Sequence, residues 1–188
     1  DESPQNHVVD EYLSLLQTLN FDYFNSNLEF QLNISSKTKD KVDKLLKEIK
    51  GINLNKNFWV GLIPSTSRED KNWPESKFSL LADWLNQNKS SCVFLFGGPM
   101  DKEKCASIDK KIKTKAYNFA GKTNLKELAE FIRRMDLVIT GDTAALHIAM
   151  SLGTPLIGLY GPTSPERYGP YQGEYTVIED RKSTRLNS

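Results

Sequence analysis

From Asn57 onward, short uninterrupted apolar runs alternate with stretches where apolar residues recur every third or fourth position. Phe58 to Ile63 (FWVGLI) stops at Pro64, which predicts a strand buried on both faces. Ser76 opens a predicted helix with Phe78, Leu81, Ala82 and Leu85 on one face. Ser91 to Phe96 (SCVFLF) reads as a second buried strand, stopped by Gly97-Gly98-Pro99. A lysine-rich helix over Asp101 to Lys113 and a weak strand over Tyr117 to Ala120 follow. Asn124 then caps a helix carrying Leu125, Leu128, Ala129 and Ile132, and Asp136 to Thr140 (DLVIT) is the next strand. Thr143 to Leu152 predicts a helix that Gly153 ends, and Pro155 opens the strand Leu156 to Tyr160. Strands alternating with helices imply parallel βαβ units, so the expected fold class is α/β, a doubly wound parallel sheet. Ligands of such sheets bind outside the carboxyl ends of the strands. The loops there are Pro64 to Pro74, Gly97 to Asp101, and Gly141 to Ala145.

The first third of the chain has a different pattern. Val8, Val9, Tyr12, Leu13, Leu16 and Leu19 recur at helical spacing after Asn6 as a cap, and Phe21 to Ser36 reads as a connector. Thr38 is expected to cap a second helix striped by Val42, Leu45, Leu46 and Ile49 and closed by Gly51. Its lysines alternate with Asp40, Asp43 and Glu48, as on a solvated outer face. At the other end, Asp180 to Ser188 (DRKSTRLNS) carries no hydrophobic periodicity and holds two of the six arginines. That string resembles a translated sequencing adapter, so residues 180–188 are read as a non-native tail, with the native sequence diverging after about Glu179. A chain opening on Asp1 without a Met is read as a fragment or a processed chain.

Composition narrows the function. Hydrophobic residues at 38% and charged ones at 26% fit a soluble globular protein rather than a disordered one. No apolar run approaches the roughly 20 residues that span a bilayer. Twenty-five Lys+Arg against 24 Asp+Glu give +1, which disfavours a basic nucleic-acid binder. Without the suspect tail the counts become 22 and 23, so the net charge becomes −1. Cys92 and Cys105 lack metal-ligand spacing, and two histidines cannot build a zinc site, so reduced thiols in a cytoplasmic setting are expected.

The loop after the first strand carries Ser65, Thr66 and Ser67, then Arg68 and Lys71, which could cradle a phosphate with Lys71 as a point charge. Ordinary loop composition explains the same residues equally well, and no Gly-x-x-x-x-Gly-Lys frame is present. After DLVIT, Asp142 or Thr143 can cap the next helix, while Ala144 and Ala145 leave the first-turn amides open to a pyrophosphate. A plain N-cap is the ordinary alternative. His147 lies one turn in, within reach of Asp142 or Thr143, and a half-buried histidine satisfied by a hydrogen bond is its ordinary reading. Gly97-Gly98 permits close approach of a ligand, with Asp101 able to accept from a ribose hydroxyl, although a strand-to-helix turn accounts for the same residues. The residues alone thus lead to a phosphate- or nucleotide-binding α/β domain.

Asp136 to Ala149 (DLVITGDTAALHIA), followed by Leu152-Gly153-Thr154-Pro155 and Leu159-Tyr160-Gly161-Pro162-Thr163, resembles the signature of the lipopolysaccharide heptosyltransferases, glycosyltransferase family 9. Pro165 to Tyr171, the block from the Ser/Thr loop through Lys71-Asn72-Trp73-Pro74, Leu95 to Gly98, and Phe119 to Leu125 agree in order and spacing. The resemblance covers roughly Val8 to Ile178. It implies a GT-B architecture of two Rossmann-like domains, with residues 1–54 as the end of the N-terminal domain, connector and linker helix, and 55–179 as the nucleotide-sugar-binding domain.

By position, Thr66, Ser67 and Lys71 match donor-diphosphate contacts, and Asp142 matches a donor-sugar contact. Thr143, Ala144 and Ala145 match the amide-presenting helix start, and His147 the motif histidine. Asp101 falls near an acidic ribose contact and Thr123 near the nucleobase edge. Ala144 stands where many heptosyltransferases carry Gly, which bears on donor choice. The implied reaction is inverting transfer from an ADP-sugar donor to a lipid-linked glycan acceptor, with no cofactor or obligatory metal and with the general base outside this chain. Lys71 is the implied catalytic group, stabilising the leaving diphosphate. A cytoplasmic monomer with peripheral inner-membrane association, inactive as this fragment, is expected. The alternatives are a nucleotide-sugar-binding module without catalysis and a sugar-nucleotide epimerase of similar architecture.

Overall fold

The computed structural model describes residues 7–20, 29–49 and 58–180. Helix α1 (Val8–Gln17) and α2 (Ser36–Lys47) precede β1 (Phe58–Ile63). Next come α3 (Glu75–Lys89), β2 (Ser91–Leu95), α4 (Lys102–Lys111), β3 (Ala116–Asn118) and α5 (Leu125–Arg133). Then β4 (Leu137–Gly141), α6 (Ala144–Ser151), β5 (Leu156–Tyr160), α7 (Pro165–Tyr168) and β6 (Tyr175–Glu179) complete the described chain. The strands form one sheet in the order β3-β2-β1-β4-β5-β6, every neighbouring pair parallel. The doubly wound reading therefore holds.

Alternation within the apolar runs divides the core between the two sheet faces. Trp59, Ile63, Cys92, Phe94 and Phe96 pack with Val42 and Leu46 of α2, Phe131 and Ile132 of α5, and Leu146 and Ala149 of α6. Val60, Leu62, Val93 and Leu95 point the opposite way, toward Phe78, Ala82 and Leu85 of α3 and Ile108 of α4. A fully buried carboxylate joins two helices on the first face. Glu130, with no exposed surface, accepts from Arg133 of α5 and from Arg134 at its C-terminal cap, and Arg134 in turn bonds Asp43 of α2.

Several boundaries differ from expectation for identifiable reasons. Helix α2 is capped by Ser35, whose extended backbone lets Oγ accept from the Thr38 amide at 3.3 Å, so Thr38 lies inside the helix. Helix α1 is capped by His7, whose Nδ1 accepts from the Val9 amide; Asn6 and Gly51 lie outside the described residues. Helix α4 stops at Lys111 because the Asp83 carboxylate takes the Lys113 and Thr114 amides. Strand β3 starts at Ala116 and ends at Asn118, whose Oδ1 accepts the Ala120 amide and turns the chain. Strand β4 starts at Leu137, while Asp136 grips β1 from below through the Trp59 amide at 2.7 Å.

Helix α7 and strand β6 were not expected from the pattern. Strand β6 is an edge, half-exposed along its length, and its pairing with β5 rather than its own periodicity defines it. Asp180, the first residue of the suspect tail, still donates its amide to the Tyr160 carbonyl at 2.9 Å; residues 181–188 lie outside the described residues. Helix α1 is attached through polar groups: Glu11 to Arg167, Asp10 to the Tyr171 hydroxyl, and His7 to the Gly169 carbonyl. Among the described residues no helix is long and apolar enough to cross a membrane.

Candidate functional site

The sheet order brings two of the three predicted loops together. The chain leaves β1 toward β2 but leaves β4 toward β5, so neighbouring strands send their following loops in opposite directions and open a crevice between them. Loop 64–74 lines one wall and the start of α6 the other. Close approach depends on Gly141, where an added Cβ would lie 2.6 Å from the Thr66 methyl.

The loop after β1 is held by its own side chains. The Thr66 amide donates to Asn72 Oδ1 at 2.8 Å, and the Thr66 hydroxyl donates to the Arg68 carbonyl at 2.6 Å. A single 3₁₀ turn, Glu69–Lys71, then aims Lys71 into the crevice. Its Nζ donates to Asp142 Oδ2 at 2.8 Å, both side chains being largely shielded, at 13% and 16% exposure.

That pairing leaves α6 without a side-chain cap. Thr143 occupies the N-cap position, but its Oγ1 is turned back onto Thr140 Oγ1 at 3.1 Å, and Asp142 is engaged with Lys71. The amides of Ala144 and Ala145 have no acceptor among the described residues. Helices α2, α5 and α7 are capped by Ser35, Asn124 and Ser164, whereas α3 and α4, like α6, have no side-chain cap. Neither Asp142 nor Thr143 therefore supplies a side-chain cap to α6. Open amides, a helix dipole and a lysine together form an anion-binding arrangement.

Eight of the ten predicted site residues line one cavity of about 680 Å³: Thr66, Ser67, Lys71, Asp101, Asp142, Thr143, Ala144 and His147. Ala145 does not line it, because its methyl is packed in the core and only its amide faces the helix end. Thr123 also lies apart, half-buried just before the Asn124 cap of α5. Asp101 is partly engaged, its Oδ2 accepting the Gly98 amide at 2.7 Å. The His147 ring has no hydrogen-bond partner among the described residues, so the ordinary reading of a histidine satisfied by a hydrogen bond is not met. Burial holds its pKa below the usual imidazole value, with the neighbouring Asp142 charge opposing that shift.

Two further residues line this cavity: Met100, which the sequence did not single out, and Ser65, read there only as one of three loop hydroxyls. Met100 follows Gly98-Pro99 and is almost fully exposed at the rim. The Ser65 Oγ is buried without a hydrogen-bond partner, a signal that only packing could reveal. A second cavity of about 560 Å³ lies against β4, β5 and β6, with apolar walls from Leu81, Ile139, Ile157 and Leu159. Asp70, Lys71, Asn72, Glu179 and Asp180 also line it, so Lys71 borders both cavities. Among the described residues no three metal-ligating side chains cluster.

Comparison with known proteins bears on the family and the fold. The profile of glycosyltransferase family 9 (heptosyltransferase) matches residues 1–186. Lipopolysaccharide heptosyltransferase 3 of Escherichia coli K12 is 30% identical over 167 residues, 88% of this chain and 47% of that protein. Lipooligosaccharide heptosyltransferase 2 of Haemophilus influenzae is 36% identical over 112 residues, 57% of this chain and 32% of its own length. The matched region thus spans from a third to about half of these relatives. A crystal structure of a family 9 glycosyltransferase from Veillonella parvula superposes with a TM-score of 0.85 at 28% identity, over 99% of this chain and 52% of that one. Escherichia coli ADP-heptose lipopolysaccharide heptosyltransferase II gives 0.77 at 25% identity, over 95% of this chain and 55% of its own. With a profile match along nearly its whole length and solved relatives of the same fold, the chain belongs to glycosyltransferase family 9, the heptosyltransferases.

Proposed function

We propose that this chain is the donor-binding part of an inverting glycosyltransferase that moves heptose, or a related sugar, from an ADP-sugar to a lipopolysaccharide-core or related glycan acceptor. The observation that carries the reading is the crevice at the β1/β4 switch point, where Lys71 and the uncapped start of α6 converge on one cavity. The name of the solved Escherichia coli relative, an ADP-heptose heptosyltransferase, supports the choice of donor.

In the proposed reaction an acceptor hydroxyl attacks C1 of the donor sugar as the bond from C1 to the diphosphate oxygen breaks. The bonding pair leaves with ADP, and the hydroxyl proton passes to a base outside this chain. Negative charge grows on the departing diphosphate, where Lys71 and the Ala144 and Ala145 amides would stabilise it. Ser67, exposed at the cavity, is available to donate as well. Thr66 would have to release the Arg68 carbonyl first. Asp142 would accept from sugar hydroxyls and hold C1 for in-line attack. Asp101 retains one carboxylate oxygen for a ribose hydroxyl, and Thr123 is assigned to the nucleobase edge, outside the cavity. The acceptor is placed in the part of the protein beyond this chain, which we locate at the cytoplasmic face of the inner membrane.

Titration calorimetry with ADP and UDP tests the donor site. ADP is expected to bind, and Lys71→Ala to weaken it by about 1–3 kcal/mol, the range for a charge-assisted contact. Preference for UDP, or an unchanged affinity in Lys71→Ala, would overturn the assignment. With an ADP-sugar and acceptor, this chain alone is expected to bind donor without turnover.

A further inference from the structure

The Lys71–Asp142 pair has a consequence for how an anion enters the crevice. Asp142 lies one residue before Thr143, the N-cap position of α6, close to the open amides of the first turn. Here it crosses to loop 64–74 and neutralises Lys71 instead. Both side chains line the cavity and both are shielded from water, so their attraction is only partly screened. The cation that a phosphate would seek is therefore already held by a carboxylate of the protein itself, while the amides of Ala144 and Ala145 stay open.

We propose that Asp142 acts as a built-in counter-ion that must yield Lys71 to the incoming phosphate, so that donor binding is an exchange of one anion for another. This rests on the donor-site reading above. The exchange links two events in a fixed order of chemistry: phosphate takes Lys71, and the carboxylate thus freed turns to the hydroxyls of the sugar. A ligand bearing phosphate but no sugar must break the pair yet gives the carboxylate nothing in return. A nucleotide sugar repays the same rupture through Asp142. The pair thereby biases the site against the spent nucleotide and toward the intact donor, which favours release after transfer.

The test compares wild type, Asp142→Asn and Asp142→Glu for binding of inorganic pyrophosphate, ADP and an ADP-sugar by calorimetry, with thermal melts to confirm folding. Asp142→Asn is expected to tighten pyrophosphate and ADP about tenfold, as removal of a close competing charge requires, while the ADP-sugar gains less or weakens. Asp142→Glu, which keeps the charge, should tighten the sugar-free ligands less than Asp142→Asn does. Unchanged or weaker pyrophosphate binding in a folded Asp142→Asn protein would overturn the proposal. Pyrophosphate tightened in Asp142→Asn, with no ADP binding even in wild type, would support the counter-ion and overturn the donor assignment instead. Absence of pyrophosphate and ADP binding in both proteins would overturn both.

Discussion

Replacing Gly141 with alanine tests whether the approach of β4 to loop 64–74 shapes the crevice. The added Cβ would lie 2.6 Å from Thr66 Cγ2, while its other neighbours, the Leu159 and Lys71 carbonyl oxygens, sit at an ordinary 3.6 and 3.9 Å. Carbon atoms rest at about 3.5–4.0 Å, so roughly 1 Å must be recovered by moving Thr66. That residue is pinned by its amide to Asn72 and by its hydroxyl to Arg68, so the loop moves with it. Overpacking of this kind costs about 1–3 kcal/mol, and a melting curve should fall by about 2–4 °C for each kcal/mol. Displacement of loop 64–74 by 1 Å should weaken ADP by about ten- to a hundredfold. Thr66→Ser removes the offending methyl and keeps the hydroxyl, so Gly141→Ala with Thr66→Ser should recover most of both losses. A Gly141→Ala protein that melts and binds like wild type would refute the reasoning, as would failure of Thr66→Ser to rescue it.

Other expectations concern the ionisable groups of the core and cleft. Glu130→Ala should destabilise the protein by about 2–3 kcal/mol in urea unfolding, because Arg133 and Arg134 lose a buried partner but are exposed enough to regain water. Burial alone would raise the Glu130 carboxyl, but hydrogen bonds from both arginines outweigh it and hold the pKa below the ordinary glutamate value. Its stabilisation is therefore present above that ordinary value and lost as pH falls through the depressed one, so Glu130→Gln should flatten the acid limb of stability against pH. His147 works in the same direction for a different reason. Burial lowers its pKa from 6.5, so the unfolded chain takes up its proton first, and stability should decline as pH falls below about 6.5. His147→Gln should remove that slope, measured by urea unfolding between about pH 7.5 and 5.

The parts of the fold legible from sequence are those with a local cause. Buried runs bounded by proline or glycine located β1 and β5 to the residue, and Asn124 with Glu127 forms a reciprocal cap at the expected start of α5. Where two local signals compete, as with Ser35 and Thr38 before α2, the pattern cannot choose, because either hydroxyl can reach an amide. Strand β6 was hidden because an edge strand exposed on much of its surface has no strong periodicity to read.

The candidate site divides along the same line. Its residue types and their places in strand-to-helix loops follow from the sequence, since a doubly wound pattern puts such loops at the carboxyl end of the sheet. What tertiary structure alone decided is which loops meet and how their charges pair. Lys71 and Asp142 are 71 positions apart, and only the adjacency of β1 and β4 makes them neighbours. That adjacency also determines that Asp142 faces a lysine rather than capping its own helix. Local chemistry offers the carboxylate both partners; Coulomb attraction in a shielded crevice, available only after the strands pair, selects Lys71 and leaves the α6 amides open.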